Sequence, residues 1–206
     1  MFLLINIRCF TPPFSAILIL ALSFGIFTTL SSVEMNQPQT RTYQEAIEFY
    51  SALREKSWQL AMTKLEGISL MPISFCTAQI ADQWKQKTEC PAVWSWVNAH
   101  GYYAKKFKRF EVSAWSRGEL QGLSYGRPTQ RSKDTLKLEL IEGSPIRDRN
   151  VINRVFPIIH IAAQVYALML GADEIRIMNP VNEAVVCHYE LYGFVRGDAN
   201  YLYVKL

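Results

Sequence analysis

Apolar residues fall at two different spacings along this chain, and the change of period divides it. From Thr42 to Trp58, Ala46, Phe49, Tyr50 and Leu53 recur at helical spacing behind a Thr with Glu45 three residues on, the pattern of a capped amphipathic helix. Leu60–Leu65 continues this pattern after a break. Ala78–Lys87 reads as a second helical stretch closed by Pro91, and the apolar segment from Gly67 to Phe75 leaves its state open. From Phe110 the period becomes two. FEVSAWS and ELQGLSYG flank Arg117-Gly118, the pattern of an antiparallel hairpin. Thr135–Glu142 follows as a third strand, with Leu136, Leu138 and Leu140 predicted on one face and Lys137, Glu139 and Ile141 on the other. The intervening RPTQRSKD reads as a basic surface loop. Val151–Leu170 is densely apolar at helical spacing and stops at Gly171. Glu174–Met178 reads as a strand, Glu183–Tyr192 as a helix stopped by Gly193, and Tyr201–Leu206 as a last strand.

The N-terminus fits neither period. No charged residue occurs from Cys9 to Val33, and Phe14–Leu30 approaches the ~20 apolar residues that cross a bilayer. Three readings are open: a cleaved signal peptide, an uncleaved anchor placed N-inside by Arg8, and an upstream start ahead of a true beginning at Met35. The organisation expected is therefore a leader over residues 1–34 and one domain over 35–206.

Composition changes little in this picture. With 206 residues, 50% of them hydrophobic, the chain can bury a core, which excludes a disordered class. Its 22 Lys plus Arg against 18 Asp plus Glu give a net charge of +4, too small to argue for nucleic-acid binding. Cys9, Cys76, Cys90 and Cys187 lack paired short spacing, and His100, His160 and His188 stand apart, so neither a disulfide framework nor a metal site is expected.

The order of elements in the second half, together with Asn179–Phe194 (NPVNEAVVCHYELYGF), resembles the GNAT superfamily of acyl-CoA-dependent N-acetyltransferases. The resemblance rests on an Asn past a strand, a Tyr seven residues later and Gly-Phe four beyond it: Asn182, Tyr189, Gly193 and Phe194. It spans about residues 110–206. It implies an α/β (α+β) fold, a GNAT-like mixed central sheet with splayed parallel strands flanked by helices, in which 110–206 binds acyl-CoA and the helical half, 35–109, faces the acceptor. The strands that part would be Thr135–Glu142 and Glu174–Met178, with the pantetheine arm of acetyl-CoA between them.

The resemblance also implies roles. Tyr189 would be the general acid for the departing thiolate, and Asn182, two helical turns before it, would share its face and hold the cofactor side. Glu139 and Glu142 are the candidate bases. Leu140, Ile141, Glu142, Arg147, Arg149, Asn150, Val151, Ile152, Asn179, Asn182 and Tyr189 would bind the cofactor. The phosphate loop departs from the family pattern, since EGSPIRDRNVINRVFP has no Gly after Pro145. Asn150 can take the left-handed conformation a first Gly would need, whereas Ile152 at the second position would crowd the phosphates. Pro157 sets a choice for the central helix: a start near Val155, or a start near Asn150 with a kink, the latter being expected.

Other residues read as structure. His188 is expected at the surface, His160 as a core histidine with its hydrogen bonds made, and Trp94 and Trp96 as packing between the first helices and the sheet. The run Lys105, Lys106, Phe107, Lys108, Arg109 reads as a solvated approach to a strand. The implied activity is transfer of an acetyl group from acetyl-CoA to a primary amine, on a small molecule or on a protein N-terminus or lysine, without a metal. The alternatives are a catalytically inactive GNAT-like binding module and a toxin-like acetyltransferase acting on aminoacyl-tRNA. Nucleic acid is not an expected partner, a membrane is one only if residues 1–34 are expressed, and a homodimer is compatible with the pattern. A cytosolic donor favours Met35 as the beginning and a cytoplasmic location, the alternative being an inner-membrane anchor through residues 9–33.

Overall fold

The computed structural model describes residues 42–86, 94–129, 134–145 and 155–206. Thr40–Leu206 make one compact unit. The apolar leader lies outside the described residues, and among those described no helix is long and apolar enough to cross a membrane.

The elements follow the predicted change of period. Helix α1 (Tyr43–Met62) opens with the full capping box: the Thr42 hydroxyl accepts from the Glu45 amide at 3.3 Å, and the Glu45 carboxylate accepts from the Thr42 amide at 2.7 Å. A short strand β1 (Ser69–Met71) then occupies the stretch whose state the sequence leaves open. Helix α2 (Phe75–Asp82), a 3-10 turn (Gln83–Gln86) and helix α3 (Trp96–Tyr103) precede the hairpin of β2 (Phe110–Ser116) and β3 (Glu119–Pro128). Arg117 and Gly118 both have positive φ, as the tight turn between two right-twisted strands requires. Strand β4 (Thr135–Gly143), helix α4 (Val155–Leu170), strand β5 (Glu174–Met178), helix α5 (Glu183–Glu190) and strands β6 (Val195–Arg196) and β7 (Tyr201–Lys205) complete the chain. Gly171, at φ 73°, ends α4, with the Ala172 amide bonded back to the Ala167 carbonyl.

The seven strands form one mixed sheet in the order β1-β2-β3-β4-β5-β7-β6, with β4 and β5 its parallel pair. Each face carries a core. On one, α1, α4 and α5 pack over Phe110, Val112, Ala114, Leu136, Leu138, Ile175, Ile177 and Leu202. On the other, α2 and α3 bring Ala78, Trp96, Ala99 and Tyr103 against Leu120, Leu123 and Tyr125.

Two readings of the sequence change here. Arg127 and Pro128 belong to β3, paired with Lys137 and Leu136, rather than to a surface loop. The alternation along β4 is also not regular, because Tyr125 pairs with Leu140 while its neighbour Gly126 pairs with Leu138. Glu139 is left without a partner across the ladder, a β-bulge that turns every later side chain over. Leu140 accordingly packs with the α2/α3 core while Ile141 packs with the α4 core, the reverse of strict alternation from Leu136. A Cβ at Gly126 would collide with the Lys137 carbonyl oxygen, so only glycine admits the close approach at the bulge.

Candidate active site

The bulge coincides with the place where two strands separate. β4 and β5 pair from Thr135↔Glu174 to Leu138↔Ile177, and the ladder stops there although β4 runs on to Gly143. Over Glu139–Gly143, β4 has no partner on the β5 side among the described residues, and Leu140–Gly143 pair with β3 alone. The parting expected of these two strands is thus present, and it begins at Glu139.

Side chains from α3, β3 and β4 converge on that point. Glu139 accepts from the Tyr103 hydroxyl at 2.5 Å and pairs with Arg127 Nε at 2.9 Å, so each carboxylate oxygen has one partner. Tyr103, buried at the end of α3, stacks face to face on Tyr125 with centroids 4.5 Å apart, and the Tyr125 hydroxyl meets His100 Nδ1 at 3.1 Å. Burial, then the Glu139 carboxylate, push the Tyr103 phenol well above its ordinary value, and burial does the same to Tyr125. Both remain protonated, and Tyr103 donates to Glu139.

Glu142 lies on the same side of the sheet. It is buried and accepts from the Trp96 indole N–H at 2.5 Å. Trp96, fully buried, is held in turn by the start of α3: Asp82 accepts from the Trp96 amide at 2.7 Å, the Ser95 hydroxyl at 2.7 Å and the Val97 amide at 3.2 Å. An acidic side chain bonded to the first amides of a helix fixes its entry. Trp96 thus does more than the packing the sequence suggested.

The wall on the other face of the sheet is aromatic. Tyr189 packs on Phe156, in the first turn of α4, with centroids 4.5 Å apart, and on Phe194 at 6.4 Å. Burial raises its phenol to about 12. The helix approaches β4 closely, since a Cβ at Gly122 would collide with the Val155 side chain and Gly143 has Val155 within 3.7 Å of its own Cβ position. Asn182 does not share a helical face with Tyr189. It is the N-cap of α5, with extended φ and ψ, and its Oδ1 accepts from the Val185 amide at 3.0 Å. Asn179 leaves β5 at φ 50°, its amide bonded to the Asn200 carbonyl at 2.9 Å. His188 is half-buried between Phe156, Tyr189 and Tyr192 rather than at the surface, and burial lowers its pKa. His160 is in the core as expected, but its Nε2 has no partner among the described residues, and burial depresses the ring to about 4.

The predicted site residues thus divide. Glu139, Leu140, Ile141 and Glu142 line the unpaired edge of β4, Tyr189 packs beside the start of α4, and Asn179 and Asn182 flank the turn after β5. Arg147, Arg149, Asn150, Val151 and Ile152 lie outside the described residues, as does a helix start at Asn150. Helix α4 is described from Val155, which puts Pro157 at its third described position. Sequence reasoning missed Tyr103 and Arg127. The basic run is partly turned inward, because Arg109 pairs with Glu111 at 2.8 Å and Phe107 packs on the core of α1. Among the described residues no group of His, Cys, Asp and Glu could hold a metal ion.

No family model and no curated protein matches the sequence. Solved structures do match the fold. A variant of the spermidine N-acetyltransferase SpeG from Vibrio cholerae is 13% identical, with a TM-score of 0.51 over 68% of this chain and 94% of its own. The aminoglycoside acetyltransferase AAC(6')-Ib in complex with coenzyme A is 11% identical, with a TM-score of 0.52 over 67% and 94%. An acetyltransferase from Thermus thermophilus is 12% identical, with a TM-score of 0.52 over 68% and 97%. These likenesses reach beyond residues 110–206, and the fold they share with this chain is the GNAT fold that the Asn, Tyr, Gly-Phe pattern implied.

Proposed function

We propose that the protein transfers an acetyl group from acetyl-CoA to a primary amine by direct attack, with Glu139 as the base and Tyr189 as the acid. One observation carries the reading: β4 loses its parallel neighbour at the bulge, and from Glu139 to Gly143 its five residues have no partner on the β5 side among the described residues. Such an edge suits an extended amide-bearing arm, which adds to a sheet as a strand would. Leu140, Ile141 and Glu142 supply that edge, Asn179 and Asn182 border the far side, and Arg147 to Ile152 would meet the phosphates. When bound, acetyl-CoA would supply an activated acyl thioester.

The chain's own groups have separable tasks. An amine arrives as an ammonium and must lose a proton before it can attack, and the Glu139 carboxylate is the nearest acceptor to the point of parting. Glu142, three residues further along β4 at ~3.3 Å each, stands about 10 Å nearer the loop that follows the strand. It belongs beside the arm rather than at its end. Tyr103 and Arg127 orient Glu139. The Tyr189 phenol, raised to about 12, holds its proton at neutral pH and can give it to a leaving sulfur. The ammonium gives one proton to Glu139, which passes it to solvent. Attack then forms the N–C bond and breaks C–S, and the departing thiolate takes the Tyr189 proton. The acylated nitrogen gives its second proton back to the Tyr189 phenolate, so the products are the amide, the CoA thiol and one proton.

Titration calorimetry of the full chain with acetyl-CoA tests the reading. Saturable heat is expected, and Tyr189→Phe should keep that binding while lowering turnover. No heat at millimolar acetyl-CoA would discard acyl transfer.

A further inference from the structure

The acceptor side of this site carries a row of cations. Arg127 of β3 stands directly opposite Lys137 of β4, Lys137 opposite Arg176 of β5, and Arg176 opposite Tyr203 of β7. Neighbouring strands are ~4.8 Å apart, so three positive side chains cross the sheet in one line. Like charges directly opposite one another destabilise a sheet. Two of the three have carboxylates to offset this: Arg127 has Glu139, while Arg176 and Lys205 share Glu174. Lys137 has no ion-pair partner among the described residues.

Among the described residues, no helix packs on the cations' side of this stretch of sheet. The side chains that alternate with these, Leu136, Leu138, Ile175, Ile177 and Leu202, are buried under α1, α4 and α5, so the cations point to the opposite face. There the core beneath α2 and α3 ends at Leu140 and takes no residue from β5 or β7. Arg127, Lys137, Arg176, Tyr201 and Tyr203 are all partly exposed and Lys205 is exposed. The row runs up to Glu139. Helices α4 and α5, with Tyr189, occupy the other face, so the cations share with Glu139 the face that these helices leave free.

We infer that the acceptor is a primary amine on an anionic body, an acidic peptide with a free amino terminus, whose carboxylates lie along Arg127, Lys137 and Arg176. This rests on the acyl-transfer reading and specifies its second substrate. A polyamine or an aminoglycoside brings several positive charges to the same row and is disfavoured. RNA fits less well, because Arg127, Arg176 and Lys205 are each ion-paired with Glu139 or Glu174, and a row of four cations provides few phosphate contacts. Arg176 also lies 4.6 Å from the Tyr201 centroid and the Lys205 ammonium 5.9 Å from that of Tyr203, so a base stacking on either ring would compete with a cation.

The test measures acetyl transfer by the full chain to a hexapeptide of Asp and Glu with a free amino terminus, and to spermidine. At low salt the peptide should have a kcat/KM at least tenfold higher, an advantage that shrinks as salt screens the row. Lys137→Glu, with Lys137→Gln as the milder variant, should raise the peptide's KM about tenfold, hold kcat, and leave acetyl-CoA affinity unchanged. Equal or better use of spermidine, indifference to Lys137, or displacement of the peptide by a single-stranded RNA oligomer would overturn the inference. Calorimetry of the peptide without donor separates the two readings. Peptide heat that depends on Lys137 with no heat from acetyl-CoA would sink acyl transfer and leave the anionic face standing, whereas acetyl-CoA heat without peptide heat would do the reverse.

Discussion

The two halves of β4 belong to one strand and do different work. Thr135–Leu138 is paired on both sides, and its leucines are fully buried between sheet and α4. Glu139–Gly143 has no partner on the β5 side among the described residues, and it sends two carboxylates toward Tyr103 and Trp96. The second half carries the two glutamates, but composition alone does not bring them to Tyr103 and Trp96. The difference comes from the bulge, which turns the side chains over, and from β5, which ends at Met178 while β4 continues. A sheet acquires a site where its hydrogen-bonding edge is opened and its alternation is broken at the same residue.

If that division is correct, substitutions one residue apart should separate activity from stability. Glu139→Gln should show the largest effect, lowering kcat/KM by about 10²–10⁴ as loss of a general base does. Its unfolding free energy should stay within about 1 kcal/mol, because the pair it breaks with the partly exposed Arg127 lies near the surface. Steady-state kinetics and urea unfolding on the same preparation would check both. A stability loss comparable to the activity loss would erase the distinction between the halves.

Leu138→Ala should do the opposite. Removing a fully buried leucine from the core beneath α4 should cost about 2–5 kcal/mol of stability. Turnover per folded molecule, measured well below the melting temperature, should stay within a few-fold. A large kcat defect in folded Leu138→Ala protein would mean that the paired half also sets the geometry of the reaction.

Part of this division is legible in the sequence, and the reason lies in the range of the signals. The hairpin, the three long central strands and the ends of α4 and α5 are written locally, in alternation and in Gly118, Gly171 and Gly193, all of which take positive φ. Strand β1 is three residues long, and the Trp94-Ser95-Trp96 stretch at the start of α3 carries no clear period, so neither has a local signature. In TLKLELIE the alternation breaks only at Leu140-Ile141, and the bulge at Glu139 is fixed by the register against Tyr125 and Gly126 rather than by any local signal. Glu139, Glu142 and Tyr189 are found through a resemblance of spacing. Their partners are not, since Tyr103 and Trp96 lie 36 and 46 positions from the carboxylates they hold, and only the folded sheet brings them together.

Trp96→Phe offers the smallest and most discriminating test of the comparison. The substitution keeps a large aromatic ring in the core but removes the indole N–H that Glu142 accepts at 2.5 Å. A hydrogen bond to a charged group contributes about 1.5–3 kcal/mol, and a buried carboxylate that loses one of its partners bears a cost of that order. If Glu142 stands beside the donor arm while Glu139 acts at its end, the variant should lose about this much stability and some affinity for acetyl-CoA, with kcat falling only a few-fold. In a Glu142→Gln background the same substitution should cost markedly less stability, because the charge that needed the N–H is gone. A kcat loss in Trp96→Phe as large as that in Glu139→Gln would instead make Glu142 the base, and would move the reacting end of the site three residues along β4.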